Sequence, residues 1–350
     1  MRVLKPEANE DRKKRILQTI IYQYITTGKP VSSDTITKSF NLKLSPASIR
    51  KIMSDLEKEG LLGHPHTSSG RVPTDKGYRL FVDNISELQK LAVDEKKAII
   101  DEFRLKIKEF DELFLKTSQL LSLVTSYTGF ITTPRFDKNK LKTLELIKID
   151  DAKVLMLIIT ESGLVKHHII KTGYSVDEKM LRYISEMFND KYSGISMMDF
   201  KHKIYDIKDE FESRIKNSEH FIRLFSKDLI NLEEEQLYIE GASNILPAMD
   251  RRDYDYLSSL VKVLDHKKDL IKMLDKDMEK IKGVEVTIGN ENKMPELMEL
   301  SFIKTVYKVG DSPMGVLGII GPKRMEYSKM ISIVNFIGEL TSQSIKKFSK

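Results

Sequence analysis

The sequence predicts an α+β protein: a small helical unit closed by a β-hairpin at the N-terminal end, then a larger antiparallel body interrupted by a mostly helical segment. Three observations predict it. Residues 46–59 carry apolar side chains at a 3.6-residue spacing and run directly into the turn-rich, basic string HPHTSSGR. Six strand-like runs fall into two groups, at 141–171 and 284–320. Between the groups, over roughly 193–280, the patterning is helical apart from one short LYIEG run.

A first helix is expected over Glu10–Thr26, because Ile16 or Leu17, Ile20, Ile21, Tyr24 and Ile25 recur at helical spacing and Gly28 follows. Its start, Arg12-Lys13-Lys14-Arg15, is basic and suits either a phosphate backbone or water. Ser32 or Ser33 caps a second short helix to about Phe40, and Asn41 to Leu44 turns the chain into a third. That third helix has Ser45 as N-cap, Pro46 at its first position and Gly60 past its end. Ile49, Ile52, Met53 and Leu56 form its inward face, while Ala47, Lys51, Ser54 and Lys58, flanked by Ser48 and Arg50, point outward. Small and hydroxyl residues let a helix lie close to base edges, and Lys and Arg reach phosphates or guanine, so this face suits a major groove. Leu61 to His64 and Arg71 to Pro73 then form a hairpin whose tip carries His66, Thr67, Ser68, Ser69 and Arg71. Such a loop is also an ordinary solvated turn; its place straight after the third helix favours contact with phosphate or a minor groove. The order helix, helix, turn, helix, hairpin is a winged helix-turn-helix, and that skeleton by itself also serves protein-binding modules that touch no DNA.

Charge points the same way. Residues 1–84 hold 15 Lys and Arg against 9 Asp and Glu, so the whole formal charge of +6 lies in this first quarter of the chain. The chain has no cysteine, which excludes a disulfide framework or thiolate metal site, and no metal or cofactor is expected. No apolar run approaches the roughly 20 residues of a membrane span and the first residues carry no secretory h-region, so a cytoplasmic protein with no membrane partner is expected. Catalysis is not expected: no HExxH or GxSxG string occurs, and His167 and His168 alternate along a strand, one toward solvent and one toward the core.

The strings TGKPVSSDTI, HPHTSSGRVPTDKGYRLFVD and GIIGPKRMEYSKMI together resemble the heat-inducible transcription repressor HrcA family of bacteria. The resemblance spans nearly the whole chain, and the hairpin string is its most specific part. It implies a homodimeric repressor that binds double-stranded DNA at an inverted repeat, the CIRCE operator, upstream of chaperone genes, with its activity tuned by the GroEL-type chaperonin. It also implies a GAF-like antiparallel α+β domain interrupted by an inserted, mostly helical dimerisation domain. On this sequence those parts map to a winged-helix DNA-binding domain at 1–84, a linker helix region at 85–124, the GAF-like domain at 125–192 and 251–350, and the insert at 193–250.

Within the body, strands are expected at Leu141–Ile149, Val154–Thr160, Leu164–Lys171, Val284–Ile288, Ser301–Val309 and Gly315–Ile320, all in one antiparallel domain. Helices are expected at about Asp177–Asn189 and Tyr327–Lys347. A second function fits the same architecture: a metabolite-gated regulator sensing a small ligand in the GAF-like domain, with the GIIGPKR turn offering backbone N–H groups to an anion.

Overall fold

The structure, a computed structural model, describes residues 6–39, 44–65, 70–85, 93–106, 110–135, 139–162, 165–206, 218–230, 236–242, 254–278, 280–309 and 312–348. It is an α+β protein with antiparallel sheets. No helix among the described residues is long and apolar enough to cross a membrane.

The N-terminal head is built from α1 (Pro6–Thr27), α2 (Ser33–Ser39), α3 (Pro46–Lys58), the hairpin β1 (Leu62–Gly63) and β2 (Val72–Pro73), and α4 (Asp75–Asp83). Ile16, Leu17, Ile20 and Ile21 of α1 meet Ile49, Ile52, Met53 and Leu56 of α3 in its core, as the helical spacing requires. Ser32 is the residue that caps α2, its hydroxyl accepting from the Thr35 N–H at 3.1 Å. Val31 exchanges backbone hydrogen bonds with Arg71, each 2.9 Å, so the loop before α2 adds a third short rung to the hairpin.

After α5 (Val93–Lys106), α6 (Phe110–Thr125) packs against the body: Leu113, Phe114, Leu120 and Leu121 are buried in the core that also holds strand residues Ile131, Ile303 and Leu317. The main sheet has the order β7 (Leu237–Glu240), β3 (Thr128–Thr132), β10 (Ser312–Pro322), β9 (Leu300–Val309), β8 (Val284–Ile288). One face carries α6 and the last helix, α12 (Tyr327–Phe348); the other is covered by α10 (Tyr254–Asp265) and α11 (Lys267–Met278).

The strands β4 (Leu141–Asp150), β5 (Lys153–Thr160) and β6 (Val165–Lys171) form a separate sheet, backed by α7 (Glu178–Tyr192), α8 (Met197–Asp206) and α9 (Ser218–Ile230). Their core, from Leu141 to Leu229, is distinct from both cores of the main sheet. The six expected strands therefore do not share one sheet but fall three and three into two. Periodicity marks each strand but not its neighbour, since an antiparallel strand with one buried face looks alike in either sheet. Thr128–Thr132 was not among the expected strands, because all five residues are buried and the run shows no alternation. Its main-sheet neighbour, the short LYIE strand, sits on the far side of the interruption. Where the chain leaves and re-enters the main sheet, the Thr133 N–H donates to the Gln236 carbonyl at 2.8 Å and the Gln236 N–H to Thr133 Oγ1 at 3.0 Å.

Candidate nucleic-acid interface

The α3 helix begins where Ser45 caps it: Ser45 Oγ accepts from the Ser48 N–H at 3.2 Å and pairs with Ser48 Oγ at 2.9 Å. It ends at Glu59, with Gly60 following at φ +72, a left-handed conformation that glycine adopts without a Cβ penalty. With the apolar face locked into the head, Ser45, Ala47, Ser48, Arg50, Lys51 and Lys58 are exposed, and Ser54 is half-buried. The outward surface is thus a strip of small and hydroxyl side chains edged by three cations.

The neighbours of these cations differ. Lys51 and Lys58 have no ion-pair partner among the described residues. Arg50 reaches back to α2, its Nε donating to Ser33 Oγ at 3.0 Å and one terminal nitrogen lying 3.5 Å from Asp34 Oδ1, yet its side chain stays 68% exposed. A guanidinium held by one edge keeps its other donors for a ligand. In the basic start of α1, Lys13 is committed to Glu59 at 2.6 Å, and that hydrogen bond raises its pKa; Lys14 and Arg15 remain exposed.

Arg71 lies at the loop-side end of β2, bridged to Val31, with a side chain only 18% exposed. Its Nε and a terminal nitrogen donate to Glu57 Oε2 at 3.0 and 2.9 Å, and the other terminal nitrogen lies 3.1 Å from His64 Nδ1. His64 Nε2 in turn lies 3.1 Å from Glu57 Oε1. An internal tie thus joins the hairpin to α3, two guanidinium donors meeting one oxygen of a carboxylate on the helix flank. Glu57 is the residue that sequence reading missed; it breaks the basic pattern of the helix directly beneath the hairpin. His66, Thr67, Ser68 and Ser69 lie outside the described residues.

The paired histidines of β6 point to opposite faces, but neither enters the core: the His168 side chain is still 40% exposed. His167 is exposed on the outer sheet face, whereas His168 turns toward α9 and lies 3.4 Å from Asp228. In the GIIGPKR turn Lys323 is paired, its Nζ lying 3.2 Å from Asp75 and 3.0 Å from Glu299. Burial pulls the Lys323 pKa down, but the two carboxylates outweigh it and leave it raised.

A basic, small-residue helix face presented by a compact head on an antiparallel body belongs to the class of DNA-binding transcription regulators. The HrcA protein C terminal domain model matches residues 111–331. The heat-inducible transcription repressor HrcA of Ruminiclostridium cellulolyticum is 34% identical over 342 residues, 97% of this chain and 98% of that one. The protein of the same name from Caldanaerobacter subterraneus subsp. tengcongensis is 36% identical over 328 residues, 92% of this chain and 93% of that one. Among solved structures, the crystal structure of a hypothetical protein at 2.2 Å resolution is similar, with a TM-score of 0.63 and 25% identity, covering 97% of this chain and 99% of that chain. The chain belongs to the HrcA family, a family of heat-inducible transcription repressors and not of enzymes.

Proposed function

We propose that residues 1–84 act as a winged-helix domain that lays α3 in the major groove of an operator, with Ser45, Ala47, Ser48, Arg50, Lys51, Ser54 and Lys58 on the reading side and the hairpin tip at 66–69 against the backbone or minor groove. The observation that carries this reading is the outward strip of α3, where exposed Ala47 and Ser48 leave room for base edges between Arg50 and Lys51. Arg71 serves as the brace of the hairpin.

The protein acts as a homodimer on an inverted repeat of the CIRCE type upstream of chaperone genes, in the cytoplasm, and repression is relieved on heating through the availability of a GroEL-type chaperonin. Family membership supports this reading, and so does one surface. On the β4–β6 sheet, Leu144, Met156 and Ile158 turn toward α7–α9, while Ile147, Leu155 and Ile169 are paired in register across the opposite, open face. Ile147 and Ile169 are each 44% exposed there, and Val165 is 43% exposed. An apolar sheet face of this kind fits a second copy of itself about a twofold axis. The dimerisation unit is then the 139–230 region, and the five-stranded sheet with α6, α10, α11 and α12 is the GAF-like domain. Two heads linked in this way read half-sites about one helical turn apart or a multiple of it.

A footprint on the organism's own chaperone promoters tests the reading; protection of both arms of an inverted repeat is expected, and no protection on any of them overturns it.

A further inference from the structure

The most motif-like string of the chain has a half that does not face the reading surface. After the hairpin, PTDKGYR forms the start of α4, and α4 has two sides with different partners. Toward the head, Thr74 Oγ1 donates to the Gly60 carbonyl at 2.7 Å, Lys76 Nζ donates to the Glu59 carbonyl at 2.9 Å, and Gly77 lies directly against the Leu61 carbonyl. These contacts grip the end of α3 and the first strand of the hairpin. Toward the body, Asp75 pairs with Lys323 at 3.2 Å and accepts from the Asn290 N–H at 3.1 Å. Arg79 donates to the Val286 carbonyl at 2.7 Å and lies 3.2 Å from Glu291, whose carboxylate also accepts from the Ile288 N–H at 2.8 Å.

The partner string, GIIGPKRMEY, supplies the other half of this seam. Lys323 holds Asp75, Arg324 lies against Gly28 at the end of α1, and the Tyr327 ring sits 6.1 Å from that of Tyr78. Tyr327 is fixed in turn by donating to the Lys323 carbonyl at 2.6 Å. Two strings about 240 residues apart in the chain, neither used by the reading face, therefore meet each other at one interface.

We infer that Asp75, Arg79 and Lys323 are positioning residues for operator binding: through α4 they fix the angle of the reading helix relative to the body. The inference rests on the DNA-reading role proposed above. In a dimer the bodies are joined and the heads do the reading, so the gain from having two heads depends on how tightly head orientation is held to body orientation. A head that swings on its body still recognises one half-site. It loses the linkage to the second, and with it the dependence of affinity on the spacing between the two.

The chain has no cysteine, so a spin-label pair on Tyr22→Cys in the head and Met298→Cys in the body, both exposed, reports the seam without DNA. Asp75→Ala and Lys323→Met should broaden the distance distribution, lower affinity for the full inverted repeat about tenfold or more, leave half-site affinity within about twofold, and flatten the spacer-length profile. Lys323→Arg should restore both the narrow distribution and the spacing preference. Narrow distances together with wild-type full-repeat affinity in both variants overturn the inference, as does tighter full-repeat binding in either. A protein whose wild type binds neither half-site nor full repeat removes the DNA reading instead, and the label distances then decide the seam alone.

Discussion

Lys51 and Arg71 are both cations beside the reading surface, and their surroundings assign them opposite work. Lys51 is exposed on the outward side of α3, so Lys51→Ala should leave the melting temperature unchanged and weaken operator binding by about 1–3 kcal/mol, measured by titration on a labelled duplex. Arg71 is tied to Glu57 and His64, so Arg71→Ala should destabilise the head by about 1.5–3 kcal/mol in thermal melts while the salt slope of DNA binding stays at its wild-type value. A slope reduced by about one unit would instead place a phosphate on Arg71. The outward placement of Lys51 was legible because it follows from the helical period and four apolar neighbours. The tie to Glu57 was not, because it depends on a hairpin folding back across the helix flank, and no local pattern records which carboxylate a guanidinium 14 residues away will meet.

At the scale of elements, α4 shows a propensity argument losing to a contact. Glycine inside a helix costs about 1 kcal/mol relative to alanine, so Gly77→Ala would ordinarily stabilise α4. Here a Cβ at position 77 would overlap the Leu61 carbonyl oxygen, and that carbonyl is held in place by accepting from the Thr74 N–H at 3.2 Å. Overlap of this kind costs about 1–3 kcal/mol, so Gly77→Ala should be a net loss of up to about 2 kcal/mol in denaturant unfolding, and a rise in stability would show that the hairpin moves away freely. The third helix of the head was read nearly to the residue, since N-cap, first-turn proline and C-terminal glycine all bracket α3, whereas α1, with no such marker, begins four residues before its expected start. The grouping of the body strands was not. The free edge of β4, for instance, is covered by side chains of α7: Asn189 Oδ1 accepts from the Leu144 N–H at 2.7 Å, its Nδ2 donates to the Leu144 carbonyl at 3.0 Å, and Ser185 Oγ accepts from the Leu146 N–H at 3.0 Å. Those side chains stand where a neighbouring strand would, which closes the small sheet at three strands and keeps it out of the larger one.

At the scale of the molecule, the fold holds three cores, and they are joined unequally. Head and main sheet share one continuous core that runs from Ile16 to Ile345, whereas the β4–β6 unit has its own and connects through two adjacent strand crossings. On the dimer reading, warming that separates the two copies bares Ile147, Leu155 and Ile169 together, a surface that aggregates and that a chaperonin cavity captures. The Asp75–Lys323 contact keeps its charged lysine throughout the physiological range: a raised lysine pKa means its stabilisation is complete below the ordinary value near 10.5 and fades only as pH rises through the raised one, so pH does not substitute for heat at this contact. Mild heating of the purified protein should therefore abolish operator binding faster at higher protein concentration, with light scattering rising in step, and chaperonin with nucleotide should preserve binding. Ile169→Lys should yield monomers in sedimentation that bind the full repeat no better than a half-site, at any temperature. Operator binding that survives heating and ignores chaperonin would detach repression from protein folding and leave a bound effector as the remaining way to release the operator.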